Sequence, residues 1–155
     1  MSCCDICYNV GSECTCGPHT AKIEVYADGS GNTFDSDGGW GTVLVVDGVN
    51  TKELSGYLEK ATNNVAELTA AIKGLKYAEA YIQAAQLTNY EVILVSDSQL
   101  TLGYASGLYK CKAIHLSSLF LEIKGLYNKL NAETRWVKGH SGDQYNEICD
   151  VLAGE

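Results

Sequence analysis

From Lys22 onward the spacing of apolar residues assigns an element to nearly every stretch of the chain. KIEVYA (Lys22 to Ala27) alternates polar and apolar positions, the period of a strand, and GWGTVLVVD (Gly39 to Asp47) reads as a second strand. Asp47-Gly48 is a hairpin dipeptide, so a third strand around Thr51 to Leu58 returns antiparallel. Val65, Leu68, Ile72, Leu75 and Ile82 then recur at helical spacing, with Asn63 or Asn64 as the cap. EVILVS (Glu91 to Ser96) is a short apolar run suited to a buried strand. A short helix follows Asp97, and a longer one spans about His115 to Leu130. TRWVK (Thr134 to Lys138) reads as the last strand, GHSGD as a loop, and Gln144 to Ala153 as a closing helix. The order βββαβαβα predicts an α/β fold: a five-stranded mixed sheet with helices on both faces.

Residues 1–20 break this pattern. They are rich in Cys and Gly, contain the chain's one proline, Pro18, and show no periodicity. They read as an appendage to one compact domain at residues 21–155. No apolar run approaches the roughly 20 residues that span a bilayer. No basic stretch precedes an apolar one at the N-terminus, which argues against a secretory signal. The expected location is cytoplasmic, where thiols stay reduced. The net charge of −8 argues against bulk electrostatic attraction to nucleic acid.

Within the predicted topology the first strand is central and parallel to the fourth, and parallel neighbours bring their C-terminal ends to one rim. Asp28 follows the first strand and Asp97 the fourth, so their carboxylates meet there. Glu67 lies in the first turns of the long helix and can approach the same rim, and Asp150 on the closing helix can cover it. Packed carboxylates repel, and one takes up a proton unless a cation intervenes. Hard oxygen ligands suit Mg²⁺ or Mn²⁺, and two such ions can drive phosphodiester cleavage. Taken singly, an Asp after a strand is more often a turn or cap residue; only convergence of all four makes a site. A calcium-loop reading of DGSGNTFDSDGG (Asp28 to Gly39) fails, because the sixth position is not Gly and the twelfth is not a carboxylate. Asp35 and Asp37 are then turn residues.

YADGSG (Tyr26 to Gly31), ATNNVAELTAAIKGL (Ala61 to Leu75), VSDSQ (Val95 to Gln99) and WVKGHSGDQYNEICD (Trp136 to Asp150) together resemble the type 1 ribonuclease H family. The blocks occur in the family's order and cover roughly residues 22–153. The resemblance implies an endonuclease that cuts the RNA strand of RNA·DNA hybrids, leaving 5′-phosphate and 3′-hydroxyl ends. It implies that Asp28, Glu67, Asp97 and Asp150 hold two Mg²⁺ or Mn²⁺ ions, and that His140 assists proton transfer or product release. By the same resemblance Gly29, Ser30, Gly31, Asn63, Asn64 and Gln99 follow the minor groove, with Thr62 and Asn32 at a DNA phosphate. Capping alone also accounts for Thr-Asn-Asn before a helix. The rival readings are a non-cleaving hybrid-binding or docking module on this fold, and a related nuclease with another nucleic-acid substrate.

The chain departs from many family members in two places. Where they carry a basic, Trp-rich protrusion, this chain has YASGLYKCKAIHLSS (Tyr104 to Ser118), short and with only Lys110 and Lys112. Cys4-x2-Cys7 and Cys14-x-Cys16 form two close thiolate pairs that suit a zinc knuckle, with Cys3 or His19 as alternative ligands and free thiols as the competing reading. Such a knuckle is open to three roles: contacting the hybrid, docking a protein partner, or bracing the fold. Cys111 and Cys149 read as ordinary buried or half-buried thiols.

Overall fold

A computed structural model describes residues 20–31, 37–139 and 142–154. The elements run β1 (Ala21–Ser30), β2 (Gly38–Val46), β3 (Val49–Leu58), α1 (Asn63–Ala84), β4 (Tyr90–Ser96), α2 (Gln99–Ser106), α3 (Ser117–Lys129), β5 (Glu133–Trp136) and α4 (Gln144–Gly154). The five strands form one sheet in the order β3-β2-β1-β4-β5. β1 is antiparallel to β2 and parallel to β4, and β4 is parallel to β5. This is the expected mixed sheet with β1 at its centre.

Both faces of β1 are covered, one by an apolar core and the other by a layer that also holds the buried Glu24, Tyr26 and Asp28. Ile23, Val25 and Ala27 face a core built with Leu68, Ile72 and Leu75 of α1 and Ile123 of α3. Tyr26 joins Val43, Val45, Val95 and Cys149 of α4 in a second, smaller cluster. Helices therefore cover both faces, as the sequence pattern implies. Glycine sets how closely α4 lies. A Cβ on Gly41 of β2 would stand 2.5 Å from the Cys149 carbonyl oxygen and 2.6 Å from the Leu152 Cβ. Gly41→Val is expected to lift α4 and cost about 1–3 kcal/mol, read as a lower Tm. An unchanged Tm would show that α4 does not pack there.

Local chemistry fixes the element ends. Asp47 (φ 51°) and Gly48 (φ 81°) are both left-handed, the two-residue turn that matches hairpin twist. The cap of α1 is Thr62, not Asn63 or Asn64. Thr62 keeps an extended backbone and its hydroxyl accepts from the Val65 N–H at 3.3 Å, while Asn63 is already helical. Ser98 caps α2 by accepting from the Thr101 N–H, and Gly107 ends it in the left-handed conformation. His115 lies in a 3₁₀ turn (Ile114–Leu116) that leads into α3 rather than in α3 itself. β5 is shorter than its pattern suggests and stops at Trp136.

Arg135 ties this short edge strand to the centre of the sheet. Its guanidinium donates at 2.6 Å both to the Glu24 carboxylate and to the Tyr26 hydroxyl, passing over β4. The Tyr26 ring in turn packs 5.1 Å from the Tyr145 ring in the first turn of α4. Burial and the neighbouring Glu24 push the Tyr26 phenol up to about 12, so it stays a neutral donor and acceptor within this group.

Candidate active site

The parallel pairing of β1 and β4 aligns Ala27 with Ser96. The next residues, Asp28 and Asp97, therefore meet at the rim where this parallel ladder ends, Asp28 still paired with Gly41 of β2. Gly29 lies against the α1 backbone at Ala66 and Glu67, where any side chain would collide. The missing Cβ lets the first turns of α1 settle on the end of β1 and present Glu67 to the rim. Carboxylate oxygens of Asp28, Glu67 and Asp97 all lie within 4.8 Å of one another. Asp150, half-buried on α4, reaches Asp28 from the other side but not the whole trio. The backbone also orders the cluster: Gly29 N–H donates to Asp28 Oδ1 at 3.0 Å, and Trp136 Nε1 donates to the Asp97 carbonyl at 3.1 Å.

Asp28 and Glu67 are each only 5% exposed. Burial, reinforced by Asp97, pushes Asp28 up to about 7 even though a hydrogen bond with Glu67 acts the other way. Burial and the charges of Asp28 and Asp97 push Glu67 up to about 10. Without a cation the site therefore holds protons near neutral pH. Glu67 Oε2 is also buried with no hydrogen-bond partner. An oxygen-only donor set, an orphaned carboxylate oxygen and crowded negative charge together fit a hard divalent cation.

A family model described as RNase H matches residues 20–155. The chain belongs to the ribonuclease H family. It is accordingly an enzyme of the nuclease class, a phosphodiester hydrolase. Ribonuclease H of Francisella philomiragia is 35% identical over 137 residues, covering 86% of this chain and 90% of that one. Ribonuclease H of Aeromonas hydrophila is 36% identical over 141 residues, covering 86% and 88%. Among solved structures, LC11-RNase H1 in complex with RNA/DNA hybrid is 27% identical with a TM-score of 0.74, covering 85% of this chain and 94% of that one. RNase H1 of the halophilic archaeon Halobacterium salinarum is 26% identical with a TM-score of 0.73, covering 86% and 96%.

Around this ribonuclease H cluster lie the other residues singled out in the sequence. A Cβ on Gly31 would stand 2.6 Å from the Ala61 carbonyl oxygen and 2.8 Å from that of Thr62. Gly29, Ser30 and Gly31 are thus brought beside the start of α1, where Thr62 is half-buried and Asn63 and Asn64 are exposed. Gln99 is exposed at the start of α2, two residues after Asp97. Asn32, His140 and the cysteines Cys4, Cys7, Cys14 and Cys16 lie outside the described residues. Gly139, just before His140, abuts Asp97: a Cβ there would stand 2.9 Å from Asp97 Oδ2. Sequence reasoning missed the Trp136 hold on Asp97. It also missed Asp143, whose Oδ1 accepts from the N–H groups of Tyr145 and Asn146 and caps α4. An Asp just before an amphipathic run was the signal for that cap. Cys111 is half-buried and Cys149 buried, both free, as expected.

Proposed function

We propose that the protein hydrolyses the RNA strand of RNA·DNA hybrids, leaving 5′-phosphate and 3′-hydroxyl ends. The observation that carries this reading is the rim cluster of Asp28, Glu67 and Asp97 with its orphaned buried oxygen, approached by Asp150. Those four carboxylates would hold two Mg²⁺ or Mn²⁺ ions, which supply water activation and neutralise charge developing on the scissile phosphate. Around them, the Gly29-Ser30-Gly31 backbone and the amides of Asn63, Asn64 and Gln99 follow the minor groove and read the ribose 2′-hydroxyl. The Thr62 hydroxyl already accepts from Val65, so its proton remains to donate to a DNA phosphate, to which we also assign Asn32. His140, next to Gly139 at Asp97, assists proton transfer or product release. That LC11-RNase H1 has been solved with an RNA/DNA hybrid supports the substrate class.

The test is a panel of labelled RNA·DNA hybrid, duplex RNA and duplex DNA, each with Mg²⁺ or Mn²⁺. Cleavage confined to the hybrid's RNA strand is the expected result. Equal cleavage of duplex DNA or RNA, or none of the hybrid, would overturn the proposal.

We assign residues 21–155 to the catalytic domain and residues 1–20 to an appendage in which Cys4, Cys7, Cys14 and Cys16 hold Zn²⁺. Native mass spectrometry of chelator-free protein is expected to show one zinc, lost in Cys7→Ser with Cys14→Ser. An intact mass without zinc would refute the assignment. Among the described residues no helix is long and apolar enough to cross a membrane, and a cytoplasmic location fits reduced thiolates.

A further inference from the structure

The stretch between Asp97 and Glu122 contains no Asp or Glu, in a chain of net charge −8. It holds Lys110 and Lys112, and Lys124 follows in α3 with its Cε near Gly107. Among the described residues no carboxylate pairs with these three lysines, while Glu122 is taken up by Lys76 at 2.6 Å. The same stretch forms a groove of about 630 Å³ lined by Leu100, Tyr104, Leu108, Tyr109, Lys110 and Lys112. Leu108 is 77% exposed at this groove, and Ile114, just beyond it, is 90% exposed.

The groove is built rather than incidental. The Tyr109 ring sits against Gly103 of α2, and the Tyr109 N–H donates to the Gly103 carbonyl at 3.0 Å. Tyr104 is buried edge-on against Phe120 of α3 at 5.2 Å between ring centres. The loop after α2 is thereby pinned back on the helix, and it holds Leu108 outward instead of tucking it into the core.

We propose that this groove docks a protein partner through a short acidic segment carrying apolar anchor residues. Charge complementarity selects the occupant. An acidic segment is repelled by a surface of net negative charge, and the cationic rim of this groove is where it gains attraction. The aliphatic and aromatic lining then supplies the affinity, because apolar anchors in a concave pocket contribute most of the binding energy in such contacts. A nucleic-acid backbone fits less well: it gains from the lysines but leaves Leu108 and the Leu100–Tyr104 floor without a partner.

Fluorescence anisotropy on the full chain tests this with four probes. They are a labelled acidic peptide of about twelve residues containing Leu and Phe, its Lys-substituted counterpart, an acidic peptide lacking apolar residues, and a single-stranded oligodeoxynucleotide. Only the first is expected to bind. Leu108→Asp, and separately Lys110→Glu with Lys112→Glu, are expected to weaken it about tenfold or more, while Lys52→Glu on β3 leaves it unchanged. Hybrid cleavage by Leu108→Asp stays within about twofold of wild type. Equal binding of the acidic peptide without anchors, preferential binding of the oligonucleotide, or no binding of the first peptide would overturn the proposal. So would a concentration-dependent dimer in sedimentation that Leu108→Asp dissolves, since the occupant would then be a second copy.

Discussion

Asp28→Asn is expected to lower the single-turnover rate on an RNA·DNA hybrid by about a thousandfold or more. Asp28 is the centre of the cluster: Glu67 and Asp150 reach its carboxyl, and the charge of Asp97 acts on it from within 4.8 Å. Asparagine keeps the shape but removes the charge, and it turns an amide N–H₂ toward oxygens that must face a cation. Asp97→Asn is expected to act similarly. Asp150→Asn reaches the cluster only through Asp28, and a loss of about tenfold is expected there. A purely structural role for Asp28 would show as a lower Tm. The opposite is expected, because the substitution relieves repulsion in a buried site. A loss of activity below tenfold, or a Tm that falls along with activity, contradicts the assignment.

The second large effect is on stability. Unfolded Asp and Glu side chains lose their protons near pH 4, whereas folded Asp28 holds its proton to about pH 7 and Glu67 to about pH 10. Across that window the folded protein binds more protons than the unfolded chain. Stability without divalent metal must therefore fall as pH rises from about 4, through both groups together up to about pH 7 and through Glu67 alone up to about pH 10. In EDTA the Tm is expected to drop between about pH 5 and about pH 8. Mg²⁺ is expected to restore it, because a cation takes the place of the protons. Glu67→Gln removes most of this slope and should gain about 2 kcal/mol near pH 8 in EDTA, or about 4–8 °C in Tm. A Tm that rises with pH in EDTA, or no stabilisation by Mg²⁺, would show that the carboxylates do not crowd one another.

The fold was readable in the sequence because β1 alternates, β4 is a short unbroken apolar run, α1 repeats apolar residues at helical spacing, and Asp47-Gly48 is a dipeptide that tolerates the positive φ the turn takes. Asp28 and Asp97 were legible for a geometric reason: parallel strands end on one rim, so residues just past their apolar runs must meet. Glu67 needed more. Its arrival depends on Gly29 admitting the α1 backbone, a contact between elements that no local pattern displays. Element ends were misread where two neighbours offered the same capping chemistry. Thr62, Asn63 and Asn64 all can cap, and only the chain's path selects Thr62. The Arg135 link to Glu24 and Tyr26 was invisible because its partners are more than a hundred residues away in sequence. The groove after α2 was seen only as a shortage of basic residues. Its apolar lining depends on Tyr109 folding back over Gly103.

The most direct test of the central claim is single-turnover cleavage of a hybrid labelled on its RNA strand, with and without Mg²⁺, followed by analysis of the product ends. The account predicts Mg²⁺-dependent internal cuts in the RNA that carry 5′-phosphates, an intact DNA strand, and cutting by Asp28→Asn slowed about a thousandfold or more. Cleavage that persists in EDTA, or survives undiminished in Asp28→Asn, would contradict it.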